Sequence, residues 1–286
     1  MLAYRLLSCL PLGLLYLLAW PGYLLLYYLA GYRKAVVRQN LQQAFPDESE
    51  KALTVLAKKF YRQLVQVALE IVKTRRMSAA AIRERVSLVN PELVREYSSD
   101  FQQPLIILSI HQGNWEWMLH GISTTLDIPA EVIYKPLHSQ SAEQLMQEIR
   151  SRFGARPVAM ADAPRQILRS RRQFRVIGML ADQSPIRSQR SYWTRFLNGE
   201  AAFYRGPGVI AHSAALPVLF SQCRRRGPGR YEVEFHEVAR PPYSGSPDAI
   251  IDRYVQLAEQ AIRDEPASWL WSNRRWKRSR PATQDA

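Results

Sequence analysis

The residues best suited to chemistry lie in the segment His111-Gln-Gly-Asn-Trp-Glu116, which directly follows the apolar run 105–110. An imidazole exchanges its proton near neutral pH. A carboxylate on one ring nitrogen fixes the tautomer and stabilises the imidazolium, leaving the other nitrogen to take a proton from a hydroxyl. This is general-base chemistry for activating an alcohol. Gly113 permits a tight turn and Asn114 is a favoured N-cap. His111 is therefore expected at the carboxyl end of a strand and Glu116 in the first turn of a helix, with its carboxylate reaching back to the imidazole. A plainer reading stays open, because Glu in a first helical turn is favoured by the macrodipole alone and a strand-end His can simply satisfy a backbone group. No G-x-S-x-G elbow, H-E-x-x-H helix or Cys/His cluster accompanies the pair. The expectation is thus a reaction with no metal, no cofactor and no covalent intermediate.

Positioning such a pair requires a strand followed by a helix, and the surrounding pattern supplies several. Strand-like apolar runs fall at 105–110, 132–134, 174–180, 217–222 and 231–235, with helical patterns between them at 115–126, 142–153, 164–171 and 207–214. The alternation predicts an α/β domain with a central mixed sheet flanked by helices. Upstream, 34–45 reads as a helix stopped by Pro46. Asp47 with Glu50 resembles a capping box that opens a long helix with an apolar stripe at Leu53, Leu56, Phe60, Leu64, Val67 and Ile71. Asp182 and Gln183 follow the 174–180 strand and are expected at the same sheet edge as His111. There Asp182 would position an acceptor hydroxyl or hold a basic residue.

Residues 6–32 contain no charged side chain, a length that can cross a bilayer, although Pro11, Gly13, Pro21 and Gly22 would kink it and an interfacial position is equally open. Arg33, Lys34 and Arg38 follow, so the positive-inside rule puts the rest of the chain in the cytoplasm. The division expected is an anchor over 1–32, a helical segment over 33–84, an α/β domain over 85–280 and a tail over 281–286. The chain of 286 residues carries a formal net charge of +14, which calls for a polyanionic partner. The uncharged N-terminal run and the lack of any nucleic-acid module favour an anionic membrane surface over nucleic acid. Cations for phosphates are available at Lys135, Arg150, Arg152 and Arg156, with most weight on Arg152, and at Arg205. The interleaved Trp and Arg of 269–280 suit lipid headgroups. His120, His138, His212 and His236 lack a carboxylate at a telling spacing and read as structural, while Cys9 and Cys223 offer no disulfide framework.

H-x4-[DE] after an apolar strand resembles the first motif of the glycerolipid acyltransferase superfamily. The wider chain resembles its lipid A late-acyltransferase branch, the lauroyl and myristoyl transferases, through YRKAVVRQNLQQAFP (32–46), VIYKPL (132–137), LADQSP (180–185), FLNGEAAFYRGPGVIAHSAALPVL (196–219) and WLWSNRRWKRSRP (269–281). The resemblance implies transfer of a fatty acyl group from an acyl carrier protein thioester to a hydroxyl of a phosphorylated glycolipid at the bacterial inner membrane. It also implies that His111 and Glu116 are the catalytic pair. Two departures bear on the acceptor. The P-E-G-T-R block of glycerophosphate acyltransferases is absent, and Lys135 stands where Arg is usual, which keeps the charge but loses a bidentate clamp. An acyltransferase for another membrane lipid is the alternative. A non-catalytic basic protein binding membrane or nucleic acid is the other class, and it would have no use for the His111–Glu116 pair.

Overall fold

The computed structural model describes residues 2–185 and 191–280; the expected tail over 281–286 lies outside the described residues. In chain order the elements are α1 (Leu2–Cys9), α2 (Leu12–Leu24), α3 (Lys34–Ala44), α4 (Glu50–Lys73), α5 (Ala79–Arg85), β1 (Val86–Leu88), α6 (Glu92–Tyr97) and β2 (Leu105–Ser109). Then come α7 (Trp115–Leu126), β3 (Ala130–Tyr134), α8 (Gln140–Ser151), β4 (Arg156–Ala159), α9 (Ala163–Arg169) and β5 (Val176–Leu180). The chain closes with β6 (Ser191–Phe196), β7 (Gly199–Tyr204), α10 (Gly206–Ala214), β8 (Val218–Gly227), β9 (Arg230–Ala239) and α11 (Asp248–Asp264).

The strands form one mixed sheet of seven, in the order β1-β9-β8-β2-β5-β3-β4, and β6 and β7 form a separate hairpin. Only the β8–β9 pairing within the large sheet is antiparallel. At its centre, β2 is buried at every residue, the unbroken apolar pattern of a parallel strand covered on both faces. Ile106 and Leu108 enter the core shared with α10 and α11, whereas Leu105 and Ile107 enter the core under α7. The α/β class and mixed sheet expected from the sequence are therefore present. The short β1 and β4, the β6–β7 hairpin and α11 were not anticipated. Strands of three or four residues carry too little period to be recognised.

Two local expectations change. The N-cap of α4 is Ser49, whose hydroxyl accepts from the Ala52 amide at 3.2 Å, not Asp47. The N-terminal apolar run breaks before Pro11, passes through Pro21 and ends in a π-helical turn, Leu25–Leu29. Residues Leu12–Leu29 have a mean hydropathy of 1.5 and are long and apolar enough to cross a membrane. Leu15, Ala19, Tyr23 and Tyr27, at four-residue steps, are buried, with Tyr27 packing on Tyr61 of α4 and Gly22 against Val65. Leu14, Leu17, Leu18, Leu25 and Leu29 are exposed.

Glu70 of α4 joins this N-terminal helix to the sheet. Fully buried, its carboxylate accepts from Tyr16 of α2 (3.0 Å), Tyr231 (2.6 Å), Asn114 (2.9 Å) and the Gly229 amide (3.0 Å). Four donors on one carboxylate offset the desolvation of a buried charge. Replacing Glu70 with Ala strands those donors, so thermal unfolding of the full-length protein should show a loss of about 3 kcal/mol or more, with Glu70→Gln losing less. An unchanged unfolding midpoint in Glu70→Ala would remove this role.

Candidate active site

β2 and β5 are parallel neighbours whose last pair in register is Ser109 with Leu180. Two residues beyond each strand end stand His111 and Asp182, which the register therefore brings side by side. Asp182 Oδ1 lies 2.6 Å from His111 Nδ1, and Oδ2 accepts from the His111 amide (3.1 Å) and from Trp269 Nε1 (2.8 Å). The Asp182 carboxylate is almost wholly buried, at 2 % exposure. Burial by itself would raise its pKa, but the imidazole and the N–H donors of His111 and Trp269 outweigh it and hold the pKa below the ordinary value. An ionised Asp182 keeps the proton on Nδ1 and leaves the Nε2 lone pair as the basic position. That nitrogen is 3.3 Å from the Gln183 side-chain amide, and Trp115 meets the ring edge-on at 5.1 Å between centroids.

The turn after His111 is tightly specified. Gly113 has φ of +59°, and a Cβ there would fall 2.6 Å from the Cys223 carbonyl oxygen, so both backbone and space require glycine. Asn114 caps α7 as expected, accepting from the Trp117 amide at 3.0 Å. The segment after α11 then straps the turn: the Gly113 amide donates to the Ser268 carbonyl (3.1 Å) and the Leu270 amide to the His111 carbonyl (3.0 Å).

Glu116 occupies the first turn of α7, as expected, but its carboxylate does not hold the imidazole. Asp182 takes that place, and Glu116 is gripped bidentately by Arg150 of α8, with Nη2–Oε1 at 2.6 Å and Nε at 3.1 Å from both oxygens. A helix leaving the turn after the strand carries its first-turn side chain toward α8, whereas the neighbouring strand end already lies level with His111.

A cavity of about 540 Å³ opens at this edge, walled by His111, Glu116, Arg150, Lys135, Gln183 and otherwise mostly apolar side chains. Lys135 is thus among the residues that line the cavity. Arg152 and Arg205 are not among its walls. Arg152 donates to the Met77 carbonyl at 2.8 Å, and Arg205 pairs with Asp248 at 2.6 Å; capping a loop and bracing α10 against α11 occupy them. Arg156 pairs with Glu131. Trp269, Trp271 and Arg275 of the closing segment are buried, whereas Arg274, Lys277 and Arg280 are exposed. Among the other histidines, burial pushes the His120 pKa down to about 4, which keeps it neutral, and His212 stacks on Tyr243. His138 stands at the cavity wall. Burial pushes the Cys223 thiol up to about 12, so it is no thiolate nucleophile. Trp269 as a donor to Asp182 was not foreseen, since the two lie 87 positions apart.

The edge of the α/β sheet thus holds an imidazole backed by a buried carboxylate at the wall of a largely apolar cavity. The sequence profile described as bacterial lipid A biosynthesis acyltransferase matches residues 1–278, and the chain belongs to that family. Its activity is accordingly acyl transfer in lipid A biosynthesis. No curated protein matches the chain.

The two carboxylates can be ranked. Asp182→Asn keeps shape but can donate to Nδ1 and select the wrong tautomer, so turnover should fall by roughly 10²–10⁴-fold. Glu116→Gln should lower it less. Steady-state kinetics on both folded variants check this, and the opposite order would return the orienting role to Glu116.

Proposed function

We propose that the protein moves a fatty acyl group from an acyl carrier protein thioester to a hydroxyl of a lipid A precursor or related phosphorylated glycolipid, by direct attack without an acyl-enzyme. The supporting observation is the His111 ring, with Nδ1 committed to Asp182 and Nε2 left as the basic nitrogen of a mostly apolar cavity. The acceptor hydroxyl gives its proton to Nε2 as its oxygen attacks the thioester carbonyl. The tetrahedral intermediate collapses by breaking the C–S bond, and the imidazolium returns the proton to the departing sulfur. The Asp182 charge stabilises that imidazolium, and Gln183 is placed to orient the hydroxyl. Glu116 holds Arg150 at the cavity wall. Lys135 sits at the mouth, close enough to Lys277 that burial and the charges of Arg278, Lys135 and Arg275 lower the Lys277 pKa. Cations crowded in this way favour a phosphorylated acceptor.

Membrane attachment fits an interfacial helix better than a crossing one. The buried face of Leu12–Leu29 lies along α4, where Arg62 stacks on Trp20 (5.2 Å) and Tyr23 (5.1 Å) and Lys58 approaches Tyr28 (5.9 Å). Crossing the bilayer in this arrangement would carry those charges into hydrocarbon. The exposed leucines instead suit insertion from one side. Tags at the two termini should therefore both be protected from protease in intact spheroplasts and be cut after lysis; cleavage of the N-terminal tag alone in intact spheroplasts would show a crossing helix.

The chemistry is tested by His111→Ala, for which turnover from acyl carrier protein should drop roughly 10²–10⁴-fold while the thermal midpoint holds. A folded, active His111→Ala protein would overturn the mechanism. Running acyl carrier protein and coenzyme A thioesters side by side identifies the donor.

A further inference from the structure

On the sheet face that meets α7, the cavity descends below His111 along the strands in level rungs. Ile107, Gly178 and Val132 stand in register across β2, β5 and β3, and two residues lower Leu105, Val176 and Ala130 form the next rung. All of these except Leu105 line the cavity, and Met118 and Ile122 of α7 close it from the other side.

Gly178 is the anomaly in this wall. A glycine inside a central strand weakens it and commonly marks a place where a ligand comes close. Its own backbone does not require it: Gly178 is not among the positive-φ glycines, and a Cβ would meet only the Glu131 carbonyl oxygen, at an ordinary 3.7 Å. Although it sits in the middle of β5 with buried neighbours on either side in sequence, it is partly exposed, into the cavity. The missing side chain therefore leaves open the space between its rung and α7.

We infer that Gly178 is the gate of an alkyl-chain limb and sets the length of the acyl group accepted. This rests on the acyl-transfer reading given above. With no side chain at 178, a chain whose carbonyl lies at His111 passes between the Ile107–Val132 rung and α7 and ends at Val176. A branched side chain at 178 closes the limb one rung higher. One rung is two residues, about 6.6 Å. An extended alkyl chain advances slightly less than one C–C bond, about 1.5 Å, per carbon, so a rung corresponds to roughly four or five carbons.

The experiment uses the full-length protein in detergent, an equimolar mixture of acyl carrier protein thioesters of graded even chain length, and mass spectrometry of the acylated product. Gly178→Leu should shift the preferred acyl group shorter by about four carbons while keeping turnover on short donors, and Val176→Ala should shift it longer. In parallel, binding of free fatty acids of graded length is measured on the same variants. A length preference unchanged in both variants, or an equal loss at every length in folded protein, overturns the gate. Binding that is length-selective and truncated in Gly178→Leu, without transfer from any of these thioesters, upholds the limb and removes the acyl carrier protein donor of the proposed function instead.

Discussion

A carboxylate buried to 2 % exposure is tolerable only if its charge is matched on every side, and Asp182 meets that condition through His111 and Trp269. The ring nitrogen, the His111 amide and the indole N–H come from two separate stretches of chain. All must be in place before the carboxylate can stay ionised out of water. The register of β2 with β5 supplies the first two donors and the strap after α11 supplies the third. The same carboxylate thus fixes the position of the His111 ring at the cavity wall.

The same logic extends outward. Glu70, equally buried, collects donors from α2, from the β8–β9 hairpin and from Asn114, the residue that caps α7. Asn114 uses its amide nitrogen on Glu70 and its oxygen on the Trp117 amide, so the start of α7 is held from both sides. The apolar N-terminal helix and the turn that carries His111 are therefore linked by a single carboxylate.

The cavity unites two opposed requirements. Its walls include Lys135, Arg150 and Glu116, and elsewhere they are mostly apolar, down to the Val176 level of the sheet. The His111 imidazole shares these walls.

Much of this could be read along the chain, and what could not has a physical cause. The apolar run 105–110, the glycine turn, the Asn114 cap and the helix after it are local: each depends on propensity, period or a side chain a few residues away, and the structure contains them, with the strand itself ending at Ser109. The α4 stripe and the apolar N-terminal run were legible for the same reason. The partner of His111 was not. Spacing offered Glu116, five residues on, but strand register brought Asp182, 71 positions away, because neighbouring parallel strands end level while a helix carries its first turn elsewhere. The closing Trp/Arg segment looked like a membrane surface from its composition alone. Tertiary structure put Trp269 and Trp271 in the core, where Asp182 and the Pro266 carbonyl take their indole N–H groups, and left Arg274, Lys277 and Arg280 exposed. Which arginine met which carboxylate was likewise decided only by the packing of α8 on α7, as interactions between elements distant in sequence leave no period to read.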